Sequence, residues 1–170
     1  FALKSYDLMS PLNFLTVFLP SEWLREFLMF SVVIKVACAS MFMAIFLRSL
    51  FKKNDFSLVI FGCSFGFCAF FMGYYWNTIW LDTVCITPLV ALGTVKLFTE
   101  GKFRLYIVSL ALSLLTNYYI GLFACIFVLL SFIAYNIVKW DGIKKFATNL
   151  LRTGIYSLIA IGLTAFFLLP

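Results

Sequence analysis

Two charged residues stand where charge is expensive, and both are of types that carry chemistry. Lys35 lies about eight residues inside the apolar run FLMFSVVIKVACASMFMAIFLR. An ammonium at that depth of a bilayer costs about 2.5–3.5 kcal/mol even on lenient insertion scales. Three readings account for it: an ion pair inside a helix bundle, a site for an anion such as the phosphate of a lipid carrier, or snorkelling. Asp82 lies in the stretch YYWNTIWLDT, residues 74–83, which gathers four aromatics, Asn77 and a carboxylate between two apolar runs. Such a stretch is either a turn at the membrane surface or a place where a carboxylate and an amide meet a ligand. Asn117 and Tyr118 sit in a second polar turn, TNYYIG, where turn chemistry alone also explains an asparagine.

Other chemistries are missing from the alphabet. The chain has no histidine, which removes His-based triads, His metal ligands and His proton shuttles. It has no DxD pair and no glycine-rich phosphate loop. The five cysteines, Cys38, Cys63, Cys68, Cys85 and Cys125, lie in apolar runs without a CxxC pair and read as small buried hydrophobes.

The elements that must position these residues are membrane helices. Of 170 residues 64% are hydrophobic and 12% charged, with 22 Phe and a mean hydropathy of +1.07. A soluble domain is about one quarter charged, so the solvent for this surface is lipid. The expected fold class is all-α, a polytopic transmembrane helix bundle of about six membrane segments. They fall near residues 27–48, 56–76, 79–98 (kinked at Pro88), 103–117 (short), 119–138, and from about Ile155 onward. Residues 1–26 form an outer segment, with 8–20 as a short interfacial or re-entrant helix: Ser10 and Pro11 open it and Pro20 closes it. Residues 27–170 form the bundle, and a start at Phe1 with an end inside FFLLP leads us to expect a piece of a longer protein.

Charge then orients the bundle. Arg48, Lys52 and Lys53 follow the first span; Lys96, Lys102 and Arg104 surround the next basic turn; Lys139, Lys144, Lys145 and Arg152 follow the fifth span. These are ten of the 13 basic residues, all on one side, whereas Asp7, Glu22, Glu26 and Asp82 lie on the other with Lys4 and Arg25. The positive-inside rule makes the basic loops cytoplasmic and the turns at 74–83 and 116–119 extracytoplasmic, where Tyr and Trp form an interface belt. The basic residues call for no nucleic acid, because topology and anionic lipids account for them.

The order of these pieces resembles the YfhO family of bacterial membrane proteins. The resemblance rests on MSPLNFLTVFLP, the lysine in VVIKVACASMF, YYWNTIWLDT with its following PLVALG, GKFRLYIVSLALSLL, and TNYYIGLFACIF. It implies a GT-C-like membrane glycosyltransferase that moves a sugar from a polyprenyl-phosphate carrier to a cell-envelope acceptor on the outer face. It also implies a principal catalytic acid in a first outer loop, upstream of SPLN and outside these residues. Within the chain, Lys35 would neutralise phosphate, and Asp82 would serve as the candidate catalytic carboxylate or bind a divalent cation. Asn77, Trp80, Asn117 and Tyr118 would complete the substrate site with Lys35 and Asp82. The rival class is a transporter or flippase-like bundle with Lys35 as its substrate charge site and the Pro88 span as its gate; a structural subunit is a third.

Overall fold

The computed structural model describes residue 10, residues 12–140 and residues 142–168, with side chains described through residue 165. Seven α-helices occur among them. The first, α1 (Leu24–Phe51), stops where Lys52, Lys53, Asn54 and Asp55 offer nothing apolar to bury. Lys52 closes it in the left-handed conformation (φ 52°), donating its backbone N–H to Arg48 O. Next come α2 (Ser57–Gly66), α3 (Ala69–Gly73) and α4 (Thr78–Glu100), the last closed by Gly101 at φ 69°. Then follow α5 (Arg104–Thr116), α6 (Tyr118–Val138) and α7 (Ile143–Leu168).

The span count is smaller than the hydropathy pattern suggested. Among the described residues, four helices are long and apolar enough to cross a membrane: Ser21–Phe51, Thr78–Glu100, Tyr118–Val138 and Ile143–Ala165. The expected span at 56–76 is broken between α2 and α3, where Cys68 adopts an extended conformation (φ −66°, ψ 161°) and interrupts the hydrogen-bond ladder. The expected span at 103–117 is α5, whose 13 residues reach about 20 Å at 1.5 Å per residue, short of about 30 Å of hydrocarbon. The last span begins at Ile143 rather than near Ile155, because Lys144, Lys145 and Arg152 are good helix formers held on an exposed face. Through Pro88, α4 runs on as one helix of 23 residues.

Before α1, Asn13–Phe18 forms a 3-10 turn. Its N-cap is Leu12 rather than the expected Ser10, whose Oγ nonetheless accepts the Asn13 N–H at 3.3 Å. Pro11 and residues 1–9 lie outside the described residues. The short helix ends before Pro20 as expected, with Leu19 extended (φ −99°, ψ 141°), and a second short turn, Ser21–Trp23, then runs into α1.

α4 is the hub, packed against α1, α5 and α6, while α5 also carries α6 and α7, and α2 lies on α1. One core cluster joins Val90, Phe98, Tyr106, Leu110, Val128 and Phe132; another joins Val36, Ala39, Phe71, Leu81 and Cys85. Small residues set the closest approaches. A Cβ on Gly93 would stand 2.7 Å from Tyr106 Cα, and one on Gly62 would stand 2.6 Å from Ser40 O. Outward faces carry Phe30, Val33, Phe61, Phe123, Leu130 and Leu158, all well exposed. Lipid tails, not water, suit such a surface.

The hairpin-like order separates two ends. Trp76–Trp80 and Asn117–Tyr119 meet at one of them. At the other, Phe103 stacks on Tyr156 (ring centroids 4.8 Å apart) and Lys52, Lys96 and Lys102 cluster within electrostatic reach of Glu100.

Candidate functional site

Lys35 is placed by the buried face of α1, formed by Ser31, Lys35, Val36 and Ala39, which turns toward the start of α4. Only 1% of Lys35 and 6% of Asp82 is accessible. The Lys35 Nζ lies 3.0 Å from Asp82 Oδ2 and donates to the Thr78 carbonyl oxygen at 2.9 Å. Its third neighbour is Asn13 Oδ1 at 3.5 Å. An ammonium has three N–H donors, and here all three have protein acceptors. Ser10, 1% accessible, lies within hydrogen-bonding reach of the same carboxylate. The ion-pair reading of Lys35 therefore has its partner, and snorkelling has no room.

A buried pair of this kind holds because each charge is compensated and further hydrogen bonds satisfy the rest; removing one partner strands the other. The pair also organises distant chain. It ties the 3-10 turn after Ser10 to α1 and both to the first turns of α4. Ser31, one helical turn before Lys35, is fully buried, and its hydroxyl has no hydrogen-bond partner among the described residues.

Above this pair, at the aromatic end of the bundle, lies a cleft of about 430 Å³ lined by Trp76, Asn77, Ile79, Trp80, Asn117, Tyr118 and Tyr119. Tyr74 steadies its rim, with ring centroids 6.3 Å from Trp76 and 5.7 Å from Trp80. Asn117 begins α6: its Oδ1 accepts the Ile120 N–H at 3.0 Å, so the side chain is a helix cap as well as a cleft wall. Directly behind it the Thr83 and Thr116 hydroxyls, 2.9 Å apart, bind α4 to the end of α5.

The six expected site residues thus form two groups. Asn77, Trp80, Asn117 and Tyr118 line one cleft, whereas Lys35 and Asp82 neutralise each other one layer beneath it. The sequence reading missed Asn13 and the Thr78 carbonyl as partners of Lys35, and Trp76, Ile79 and Tyr119 as cleft walls. The available signal was SPLN itself, whose Ser10 and Asn13 are two polar side chains three residues apart in an apolar segment.

The donor set tests the divalent cation that Asp82 could hold. Asp82, Asn13, Ser10 and the Thr78 carbonyl are hard oxygen ligands of the kind such an ion takes. Yet Asp82, Asn13 and the Thr78 carbonyl surround the ammonium of Lys35, which fills the position of the cation. Among the described residues, no three His, Cys, Asp or Glu side chains gather as a metal-ligand group. The residues present do not fit a divalent ion alongside Lys35.

Chemically, the cleft offers flat aromatic faces and two amides, Asn77 and Asn117, in one amphipathic hollow. Rings accept the C–H face of a ring-shaped polar ligand, and amides both donate to and accept from its hydroxyls. No curated protein and no solved structure shows a significant match to the chain. The model of one family, described as bacterial membrane protein YfhO, matches residues 1–170.

Proposed function

Because the chain belongs to the YfhO family of bacterial membrane proteins, we propose that it forms part of a polytopic membrane glycosyltransferase. The enzyme moves a sugar from a polyprenyl-phosphate carrier to a cell-envelope acceptor on the extracytoplasmic face. The observation that carries this reading is the cleft between Trp76–Trp80 and Asn117–Tyr119, an aromatic and amide hollow at the end opposite the basic turns. Sugar rings match it: apolar ring faces stack on indole, and hydroxyls pair with Asn77 and Asn117.

In this reading Lys35 and Asp82 are positioning residues. Lys35 holds the Thr78 carbonyl and the Asp82 carboxylate, which fixes the first turns of α4 and so places Asn77 and Trp80 at the cleft. A carrier phosphate would reach the Lys35 ammonium only by displacing Asp82, Thr78 or Asn13. The same saturation weighs against a transporter with Lys35 as its free substrate charge.

The test is sugar transfer by the purified intact protein, supplied with a panel of polyprenyl-phosphate-linked sugars and envelope acceptor. Trp80→Ala should lower turnover tenfold or more, about 1.4 kcal/mol of transition-state binding, while Trp80→Phe keeps most of it. Absence of transfer by the unaltered protein across the panel, or full turnover by Trp80→Ala, sinks the reading.

A further inference from the structure

A second hollow, unrelated to the aromatic cleft, lies at the basic end between the close of α1 and the opening of α2. It encloses about 400 Å³ and is lined by Met43, Leu47, Phe51, Lys53, Asp55, Ser57, Leu58 and Phe61. Met43, Leu47 and Phe51 follow one another at four-residue spacing, so they form a single apolar stripe along α1. Leu58 and Phe61, three apart on α2, form the opposite wall. From Met43 to Phe51 the stripe rises about 12 Å at 1.5 Å per residue, close to the depth of one leaflet of a bilayer about 30 Å thick. The polar residues Lys53, Asp55 and Ser57 are all exposed and follow Lys52, whose left-handed backbone turns the chain between the two helices.

Lys53 and Asp55 stand at this mouth with opposite charges. The ion pairs among the described residues are Lys35–Asp82 and Glu100–Lys102, so neither Lys53 nor Asp55 is in a salt bridge with a described residue. A cation and an anion lining the same apolar slot complement one particular lipid chemistry. We infer that this groove binds a phospholipid with a phosphoethanolamine headgroup: one acyl chain along Met43, Leu47 and Phe51, the phosphate on Lys53 and Ser57, and the ammonium on Asp55. An anionic headgroup satisfies Lys53 but leaves Asp55 facing negative charge. Arg48 and Lys52 nearby draw anionic lipid to the whole basic end without selecting for the groove. Asp55 is what selects.

The experiment is native mass spectrometry of the intact protein in detergent, with equimolar phosphatidylethanolamine, phosphatidylglycerol and phosphatidylcholine of identical acyl chains. Ethanolamine lipid should be retained about fivefold over glycerol lipid, the size of one ion pair near a surface at about 1 kcal/mol. Asp55→Asn should erase that preference, Lys53→Gln should weaken retention of all three lipids, and Leu47→Trp should block the slot. Thermal unfolding of each variant serves as the folding control, and Asp55→Asn and Lys53→Gln alter exposed side chains only. Equal retention of the three lipids, a preference for the glycerol lipid, or an ethanolamine preference that survives Asp55→Asn would each overturn the assignment.

Discussion

Lys35 Nζ and Asp82 Oδ2 meet at 3.0 Å across 47 positions of sequence, and both side chains are sealed from solvent. Each helix alone would carry a buried charge it cannot support; side by side, α1 and α4 cancel the two. Lys35→Met should therefore destabilise the folded protein by about 3–5 kcal/mol, because it strands Asp82. Adding Asp82→Leu should recover most of that loss, since neither charge then remains. A double-mutant cycle read by thermal unfolding in detergent measures the coupling. If Lys35→Met instead folds at wild-type stability and loses only sugar transfer, the ammonium serves an external anion rather than this pair.

Asn117 has a structural duty that can be separated from any ligand contact. Asn117→Ala removes the cap on Ile120 N–H and should cost about 1 kcal/mol, whereas Asn117→Ser keeps a capping oxygen and should hold stability close to wild type. With stability preserved in the serine variant, a drop in sugar transfer then reports the missing amide at the cleft wall. Equal melting of the alanine and serine variants would refute the capping role.

Close helix approach should make one glycine intolerant and another indifferent. Gly93→Ala places a Cβ 2.7 Å from Tyr106 Cα and 2.8 Å from Tyr106 N, atoms of backbone that cannot swing aside. The α4–α5 contact must open, at about 1–3 kcal/mol. Gly154→Ala meets nothing within 4 Å and should be neutral or stabilising by up to about 1 kcal/mol through helix propensity. Thermal melting of the two variants compares them directly, and an unchanged midpoint for Gly93→Ala contradicts the packing.

Orientation is open to labelling. In a background with Cys38, Cys63, Cys68, Cys85 and Cys125 replaced, single substitutions Lys53→Cys, Lys102→Cys and Lys144→Cys should resist a membrane-impermeant thiol reagent in intact cells. Tyr75→Cys, 60% exposed at the aromatic end, should react. The reverse pattern would place the aromatic cleft in the cytoplasm and remove the outer-face reaction with it.

The membrane class of this protein was decided by composition, because a chain so rich in Phe and so poor in charge has more apolar surface than one fold can hide. The segregation of basic turns from aromatic turns was equally legible, since it depends only on the order of apolar runs. So was the demand that Lys35 find a partner: the cost of a charge in hydrocarbon is a property of the residue and its neighbours in sequence. Hydropathy is a sum over adjacent residues, however, and it carries no information about which helices lie together. The partner of Lys35 followed from α1 resting on α4, and the meeting of Asn77 with Asn117 from the stacking of α4, α5 and α6. The same blindness inflated the span count, because an apolar run from 56 to 76 looks continuous until Cys68 turns extended between α2 and α3. Ser10 and Asn13 in SPLN signalled a polar site, but Asn13 becomes a partner of Lys35 only when the 3-10 turn Asn13–Phe18 packs on α1. Local sequence set each residue's need; distances between helices, governed by small residues such as Gly62 and Gly93, chose how the need was met.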